Sequence, residues 1–190
     1  MLKPIPSNWI WVMKPRLVYE DYLFKLNTDE WIIEPKINGA RALVYWFNGN
    51  VEIWNRHQHY IKPSQIPNIY TQLNEMFKPV LRPQFVVLDG ELEYRKGKEK
   101  LWLFDCLYYD QPIFNSPIES RKQQLRTLDT SNPFITIIPE LKGKSLSEIW
   151  NTLPPEYEGI VLKAKGSRYL PAKNEYNNQS VYWLKVRKKK

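Results

Sequence analysis

Apolar and β-branched residues occur in short runs bounded by turn-forming residues, which is the pattern of β-strands. The runs predict strands over residues 31–37, 40–47, 51–55, 84–94, 100–109, 157–164 and 181–187. Turn residues stand between successive runs at Asn48-Gly49-Asn50 and at Lys96-Gly97, and each of these turns predicts a hairpin. Antiparallel pairing is therefore expected to dominate the sheets.

Three helices are predicted between these strands. Ile69, Leu73, Met76 and Phe77 recur at helical spacing and predict an amphipathic helix between residues 67 and 78. Two further helices are expected where a serine precedes a glutamate by three residues, at 116–119 and 145–148. Hairpins mixed with a few helices indicate an α+β fold of antiparallel sheets flanked by helices. We expect one domain over residues 1–190, with residues 1–30 as an N-terminal arm packed on it.

The composition narrows the class of protein. A chain of 190 residues, 43% of them hydrophobic, can bury a core of its own. Its net charge of +8 favours a polyanionic partner. The single cysteine, Cys106, cannot form an internal disulfide, and no apolar run approaches the roughly 18 residues that a membrane span needs. We therefore expect a soluble, cytoplasmic protein with no membrane partner.

The first candidate for chemistry is the segment 34–41, E-P-K-I-N-G-A-R, which follows an apolar strand. A neutral lysine amine such as that of Lys36 can attack the α-phosphorus of a nucleotide if cations neutralise the departing pyrophosphate. Gly39 would let the backbone approach a phosphate closely, and the planar fork of Arg41 would hold an anionic or hydroxyl-rich group. By itself the segment is equally compatible with an ordinary surface strand.

Five later segments, in a fixed order, favour the chemical interpretation of residues 34–41 over an ordinary surface strand. They are residues 55–57, 88–92, 103–107, 158–163 and 183–187. Together with 34–41 they resemble the nucleotidyltransferase motifs shared by ATP-dependent DNA ligases, RNA ligases and mRNA capping enzymes. The resemblance covers about residues 31–187 and is strongest to the adenylation domain of ATP-dependent DNA ligases. It implies an ATP-grasp-like nucleotidyltransferase fold.

The resemblance also implies a role for each matching residue. Lys36 would be the adenylated nucleophile. Glu34 would help to read the adenine, and Phe104 would stack on its ring. The remaining residues expected to bind nucleotide are Arg41, Arg56, Glu91, Lys163, Lys185 and Arg187. Glu158, with Glu91, would bind the divalent metal.

Elementary physical chemistry agrees with this assignment. A free lysine is neutral only about one part in a thousand near neutral pH, so a nucleophilic lysine needs neighbouring cations that lower its pKa. Lys185 and Arg187 are two apart on a strand and share a face, as joint phosphate contacts require. Glu158 and Lys163 are an odd number apart, so they share a face only if a bulge at Gly159 interrupts the alternation.

Several residues have a simpler alternative explanation. Glu34 and Glu91 could merely pair with surface lysines, and Phe104 could be an ordinary core residue. Asp89 and Asp105 are expected to orient loops or to accept hydrogen bonds from backbone amides.

The resemblance implies a ligase reaction. Lys36 would form a lysyl-AMP with ATP, AMP would pass to a 5′-phosphate at a nick, and a 3′-hydroxyl would displace it. ATP and Mg²⁺, with Mn²⁺ as an alternative, are the expected cofactors. Nicked duplex nucleic acid, DNA before RNA, is the expected partner of a monomer.

Three departures from the family pattern keep alternatives open. Asn38 stands where DNA ligases and capping enzymes usually have aspartate, which favours an RNA ligase as an alternative; a capping-type enzyme is a further alternative. Arg187 replaces a lysine. The C-terminal OB-fold domain expected in this family is absent from the 190 residues, so an OB-fold or DNA-clamping partner in trans is one expectation. A nick-binding module with little catalytic activity is another.

Overall fold

The structure is a computed structural model that describes residues 3–47, 49–78, 84–94, 97–128, 130–143, 145–176 and 178–188. The predicted turns at Asn48 and Lys96 include residues outside these ranges. No helix within the described ranges is long and apolar enough to cross a bilayer.

Eleven strands and four α-helices make up the regular structure of the described residues. The strands are β1 (Lys14–Leu17), β2 (Trp31–Lys36), β3 (Ala40–Phe47), β4 (Asn50–Asn55), β5 (Tyr60–Ile61), β6 (Phe85–Glu93), β7 (Lys100–Tyr109), β8 (Gln111–Pro112), β9 (Ile135–Ile137), β10 (Gly159–Ala164) and β11 (Gln179–Arg187). The helices are α1 (Glu20–Leu23), α2 (Pro67–Phe77), α3 (Ile118–Arg126) and α4 (Leu146–Thr152). Thr28–Glu30 and Pro63–Gln65 form short 3₁₀ turns.

The strands form two sheets. The smaller sheet has the order β1-β11-β10-β2, and the larger has the order β5-β4-β3-β6-β7-β8 with β9 paired to β7. Most neighbours are antiparallel, as predicted, but β1 pairs with β11 and β9 pairs with β7 in parallel. The α+β prediction of antiparallel sheets flanked by helices is thus confirmed, with two parallel pairings that hairpin signals could not reveal.

Alternation along the strands distributes apolar side chains among three clusters. The first packs α2 on the outer face of the larger sheet, the second fills the space between the two sheets, and the third packs α1 and α4 on the far face of the smaller sheet. In β2, Ile32 belongs to the cluster between the sheets and Ile33 to the cluster on the far side. Glu34 and Lys36 share the alternation of Ile32, so they enter the space between the sheets.

One of the two predicted helix caps is confirmed. Ser145 and Glu148 form a capping box at the start of α4. The prediction for Ser116 was wrong, because Pro117 is the residue that precedes α3 and no side chain caps it. Glu119 instead accepts a hydrogen bond from the backbone amide of Gly166, at 3.0 Å.

Gly159 opens β10 at the point where the chain has no room for a side chain. A Cβ at this position would lie 1.9 Å from the carbonyl oxygen of Val186, and the residue has a φ of +150°. Gly159 is paired with Lys36 of β2 on one side and with Arg187 of β11 on the other. The absence of a side chain therefore lets three strands meet closely beside the predicted nucleophile.

We expect Gly159→Ala to destabilise the fold by more than about 3 kcal/mol, since it combines an unfavourable φ with a clash against backbone. Gly166 is the matched control, because it has a φ of +71° but open space around its Cβ direction. Gly166→Ala should cost about 1–2 kcal/mol. Urea unfolding of both variants measures the difference, and equal losses would contradict the packing explanation.

Candidate active site

A cavity of about 380 Å³ opens on residues from both sheets. All ten predicted site residues line it: Glu34, Lys36, Arg41, Arg56, Glu91, Phe104, Glu158, Lys163, Lys185 and Arg187. Strands β2, β10 and β11 of the smaller sheet and β3, β6 and β7 of the larger sheet carry eight of them. Arg56 directly follows β4, and Glu158 directly precedes β10. The structure therefore brings the predicted residues together, and their individual roles remain predictions.

Lys36 is the last residue of β2, and its amine lies on the wall of the cavity. Its Nζ forms an ion pair with the carboxylate of Glu158 and lies 3.5 Å from the carbonyl oxygen of Ile37. The backbone holds this pair together, because the amide of Glu158 donates to the carbonyl oxygen of Lys36 at 2.9 Å. In this arrangement, the group in direct contact with the amine is a carboxylate, and the cations lie farther along the wall.

The bulge at Gly159 that would place Glu158 and Lys163 on one face is absent from the pairing of β10, whose register is regular against both neighbours. Glu158 precedes β10, so the alternation of side chains between the two faces of the strand does not apply to it. Its side chain can therefore reach the cavity. Lys163 lies within β10 on the same face as Val161, and both line the cavity.

Gly39 serves the protein's own packing. A Cβ there would lie 2.6 Å from the carbonyl oxygen of Leu92, so the connection between β2 and β3 needs a glycine to pass β6. The sequence-based expectation of close approach to a phosphate is not needed to explain this residue.

A buried ion cluster lies beneath one end of the cavity. Glu34, only 2% exposed, pairs with Lys163 at 2.7 Å through one carboxylate oxygen and with Lys122 through the other. Both lysine side chains are 1% exposed, so the alternative that Glu34 pairs with surface lysines is wrong. Sequence reasoning missed Lys122, which comes from α3, 88 residues away along the chain.

Aromatic rings enclose the same end of the cavity. The Nζ of Lys163 lies 4.6 Å from the ring centroid of Phe104 and 4.2 Å from that of Trp183. Burial lowers the pKa of Lys163 below its usual value, with Lys122 as a further cause, although Glu34 opposes both. Phe104 belongs to the cluster between the sheets and also lines the cavity, so it is a core residue, and its stacking on adenine stays a prediction.

The Arg41 side chain is held by the carboxylate of Asp89, a residue to which the motifs gave no role. Its Nε and Nη2 donate to the two oxygens of the fully buried Asp89, and Nη2 also donates to the carbonyl oxygen of Met13 at 3.2 Å. The Tyr169 hydroxyl donates to Asp89 at 2.8 Å. Burial alone would lower the pKa of Arg41, but Asp89 raises it above its usual value. The guanidinium stacks 4.6 Å from the Phe104 ring centroid.

Asp105 has a comparable structural role. Its two oxygens accept from Nε and Nη2 of Arg121 at 2.8 and 2.9 Å, and both side chains are fully buried. Asp105 also accepts from the amide of Cys106. Asp105 accepts from one backbone amide, as predicted, but both aspartates mainly hold arginine side chains, which was not predicted, and neither of them lines the cavity.

Cations gather at the other end of the cavity. Lys185 and Arg187 are two residues apart on β11 and share a face of the strand, and both line the cavity, as predicted. Burial lowers the pKa of Lys185, and Arg187, Lys36 and further cations lower it more. Among the described residues, the lining contains seven lysine or arginine side chains and three carboxylates. Such an excess of positive charge attracts a polyanion.

Two carboxylates of the lining are suited to Mg²⁺ when a phosphate completes the site. Glu158 and Glu91 both lie near Lys36. Burial raises the pKa of Glu91, and the positive charges of Arg41 and Lys36 oppose this shift. Within the described ranges, no cluster of three or more His, Cys, Asp or Glu side chains could hold a metal ion by itself. Mg²⁺ commonly binds through one or two carboxylates together with substrate phosphates, so the residues present fit this ion.

The two-sheet fold carries a lysine in a cavity whose excess of cations suits an anionic ligand, and comparison with known proteins identifies the family. A family model described as "ATP dependent DNA ligase domain" matches residues 14–101 and 93–187. The chain belongs to this family.

Curated relatives and solved structures agree with the family match. The chain is 25% identical over 181 residues to the "SPbeta prophage-derived DNA ligase-like protein LigB" of Bacillus subtilis, covering 84% of this chain and 62% of that protein. It is 25% identical over 185 residues to a DNA ligase of Archaeoglobus fulgidus, covering 82% of this chain and 31% of that protein. The fold matches the ligase domain of LigD from M. tuberculosis with a TM-score of 0.68 at 21% identity, covering 92% of this chain and 59% of that one. The chain thus spans less than two thirds of these relatives.

We expect Glu34→Gln to destabilise the fold by about 3 kcal/mol or more, because two buried ammonium groups would lose their shared carboxylate. The loss should shrink as the pH rises. Without Glu34 the folded chain would hold the Lys163 proton less tightly than the unfolded chain does, so stability should increase toward the ordinary lysine pKa. Thermal unfolding between neutral and alkaline pH tests this, with Glu30→Gln at an exposed position as the control. A loss that does not depend on pH would contradict the prediction.

Lys185→Met should stabilise the fold slightly while weakening nucleotide binding. The substitution removes a charge whose pKa the folded chain lowers, so Tm should rise by about 1–2 °C near neutral pH. The gain should shrink as the pH rises toward the ordinary lysine pKa and vanish above it, where the parent side chain is neutral in the folded and the unfolded chain. Calorimetry with Lys25→Met, at an exposed position outside the cavity, provides the comparison. A lower Tm for Lys185→Met would be inconsistent with repulsion among these cations.

Proposed function

We propose that residues 1–190 act as one adenylation domain of an ATP-dependent DNA ligase that seals nicks in duplex DNA. The observation that carries this proposal is the position of the Lys36 amine, on the wall of a cavity that has an aromatic end and a cationic end. The aromatic end, with Phe104, Trp183 and Val161, suits a purine ring. The cationic end, with Lys185 and Arg187, suits phosphates. Membership of the ATP-dependent DNA ligase domain family supports the choice of nucleotide and nucleic acid.

In the first step, the Lys36 ammonium gives one proton to solvent, the neutral amine attacks the α-phosphorus of ATP, and Nζ gives a second proton to solvent as the phosphoramidate forms. A bond forms between Nζ and phosphorus, the bond from phosphorus to the bridging oxygen breaks, and pyrophosphate leaves with the electron pair. Glu158 holds Nζ in position, while Lys185 and Arg187 stabilise negative charge on the phosphates. Mg²⁺ bound by Glu158 and Glu91 would add positive charge at the phosphates and compete with Lys36 for the Glu158 carboxylate.

In the following steps, AMP passes from Lys36 to the 5′-phosphate of a nick, and the 3′-hydroxyl displaces it to form a phosphodiester. Phe104 and the buried Glu34 would keep the adenine in place throughout. Arg41, which Asp89 holds in a fixed orientation, would present its remaining donors to the ribose. The net charge of +8 favours binding to the phosphodiester backbone, which should weaken as salt increases.

Asn38 supports one alternative within the same chemistry, an RNA ligase, and a GTP-using capping enzyme is a further alternative that Asn38 does not favour. Asn38 lines the cavity two residues after Lys36. An amide there lacks the negative charge that is usual in DNA ligases. Comparing nicked DNA with nicked RNA, and ATP with GTP, separates these substrates. A module that binds nicks without catalysis would bind nicked duplex and form no adduct with the nucleotide.

Incubation with α-labelled ATP and Mg²⁺ should transfer label to the protein through an acid-labile bond. Lys36→Arg should abolish the label, because a guanidinium is not a nucleophile, and it keeps a cation that can pair with Glu158. Lys25→Arg, at an exposed position, is the matched control and should label like the parent protein. A parent protein that takes no label, or a Lys36→Arg variant that labels normally, would overturn the proposed mechanism.

A further inference from the structure

Lys14, the first residue of β1, supplies a lysine to the cavity from outside the recognised motifs. It lines the cavity beside Pro15, although it lies in the N-terminal arm, 22 positions before Lys36. The strand is fixed by parallel pairing with β11, in which Lys14 lies opposite Gln179, and the Lys14 amide donates to the carbonyl oxygen of Asn178 at 2.6 Å. The arm is therefore part of the sheet that carries Lys185 and Arg187.

The hydrogen-bond partner of the Lys14 amine is neutral, and basic side chains lie near it. Its Nζ donates to the backbone carbonyl oxygen of Glu175 at 3.2 Å, which is a neutral acceptor. The Glu175 carboxylate pairs with His57, and Arg56 donates from Nε to the other nitrogen of His57 at 3.0 Å. Lys14, Arg56 and His57 thus border the mouth of the cavity together.

Electrostatics supports the same conclusion. Burial lowers the pKa of Lys14, and the positive charge of Arg56 lowers it further, while Glu175 opposes them. Lys14 and Arg56 in turn are among the groups that lower the pKa of Lys185. Neighbouring cations that lower one another's pKa destabilise the fold. Such a cluster is typical of a functional site in which a bound anion compensates the positive charge.

We propose that Lys14 binds a phosphate group at the mouth of the cavity, in a subsite that it shares with Arg56 and Lys185. The proposal rests on the proposed adenylation function for the identity of the phosphate. That phosphate arrives either in the triphosphate tail of ATP or as the 5′-phosphate of the nick. The N-terminal arm thereby acquires a direct part in substrate binding.

Arg16 provides a matched control on the same strand. It is an exposed cation two residues beyond Lys14, after an irregularity in the β1 pairing, and it does not line the cavity. Its partner in register is Leu184, whose side chain packs in the cluster on the far face of the smaller sheet. Residues opposite each other on paired strands project to the same face, so Arg16 faces away from the cavity.

The test compares Lys14→Gln, Lys14→Arg and Arg16→Gln with the parent protein in two reactions. The first is labelling with α-labelled ATP at increasing ATP concentration. The second is transfer of AMP from the charged protein to nicked DNA at increasing nick concentration. Lys14→Gln should raise the half-saturating concentration of ATP or of the nick by about three- to tenfold. Lys14→Arg should restore most of the loss, and Arg16→Gln should stay within about twofold of the parent for ATP.

The reaction that is affected identifies the source of the phosphate. A change with ATP indicates the triphosphate tail, and a change confined to the nick indicates its 5′-phosphate. Binding of adenosine, measured by calorimetry, should be the same in all four proteins, because it carries no phosphate. If Lys14→Gln matched Arg16→Gln in both reactions, or weakened adenosine binding by the same factor, the subsite would be refuted.

Failure of the proposed function gives a different result. A parent protein that takes no label would overturn the adenylation step and leave the subsite to be judged by binding alone. Inorganic tripolyphosphate, titrated by calorimetry, is the probe for that case. It should bind the parent and Arg16→Gln alike and Lys14→Gln about three- to tenfold more weakly. Equal binding to all of these proteins would refute the subsite.

Discussion

Like charges gathered in one cavity repel one another. The surrounding fold must hold these side chains close together against that repulsion. The cavity walls contain seven cationic side chains and three carboxylates among the described residues. The pairing of β2, β10 and β11 holds Lys36, Lys163, Lys185 and Arg187 at fixed positions even though their charges repel. Backbone hydrogen bonds and the apolar clusters on both faces of the sheets supply the stability that this arrangement requires.

The carboxylates compensate some of these cations and leave others facing the cavity. Glu34 compensates Lys163 and the buried Lys122, and the buried Asp89 compensates Arg41, so the two cations of these pairs that line the cavity, Lys163 and Arg41, are held rigidly in place. At the surface of the cavity, Lys185 and Arg56 lie where a phosphate can approach them. The buried pairs therefore orient the site, and the cations left facing the cavity determine what it attracts.

Much of this arrangement could be predicted from the sequence, and the remainder depends on tertiary contacts. The long strands were predicted within one or two residues because their apolar patterns are local. The ten site residues assigned from the ordered motifs all line one cavity. Lys122 was not predicted because a lysine in a basic helix is usually solvated, and its carboxylate partner lies 88 residues away. Lys14 was not predicted because its strand joins the smaller sheet only through a parallel pairing with the last strand. The error at Ser116 has a local cause, since the proline that follows it takes the capping position.

A crystal structure of the chain soaked with ATP and Mg²⁺ would reveal where the nucleotide binds and which atom carries it. Electron density should be continuous from the Lys36 Nζ to a phosphorus atom, with the adenine beside Phe104 and with Lys185 and Arg187 facing the phosphate. Nucleotide bound outside this cavity, or an AMP group attached to another side chain, would contradict the proposed mechanism.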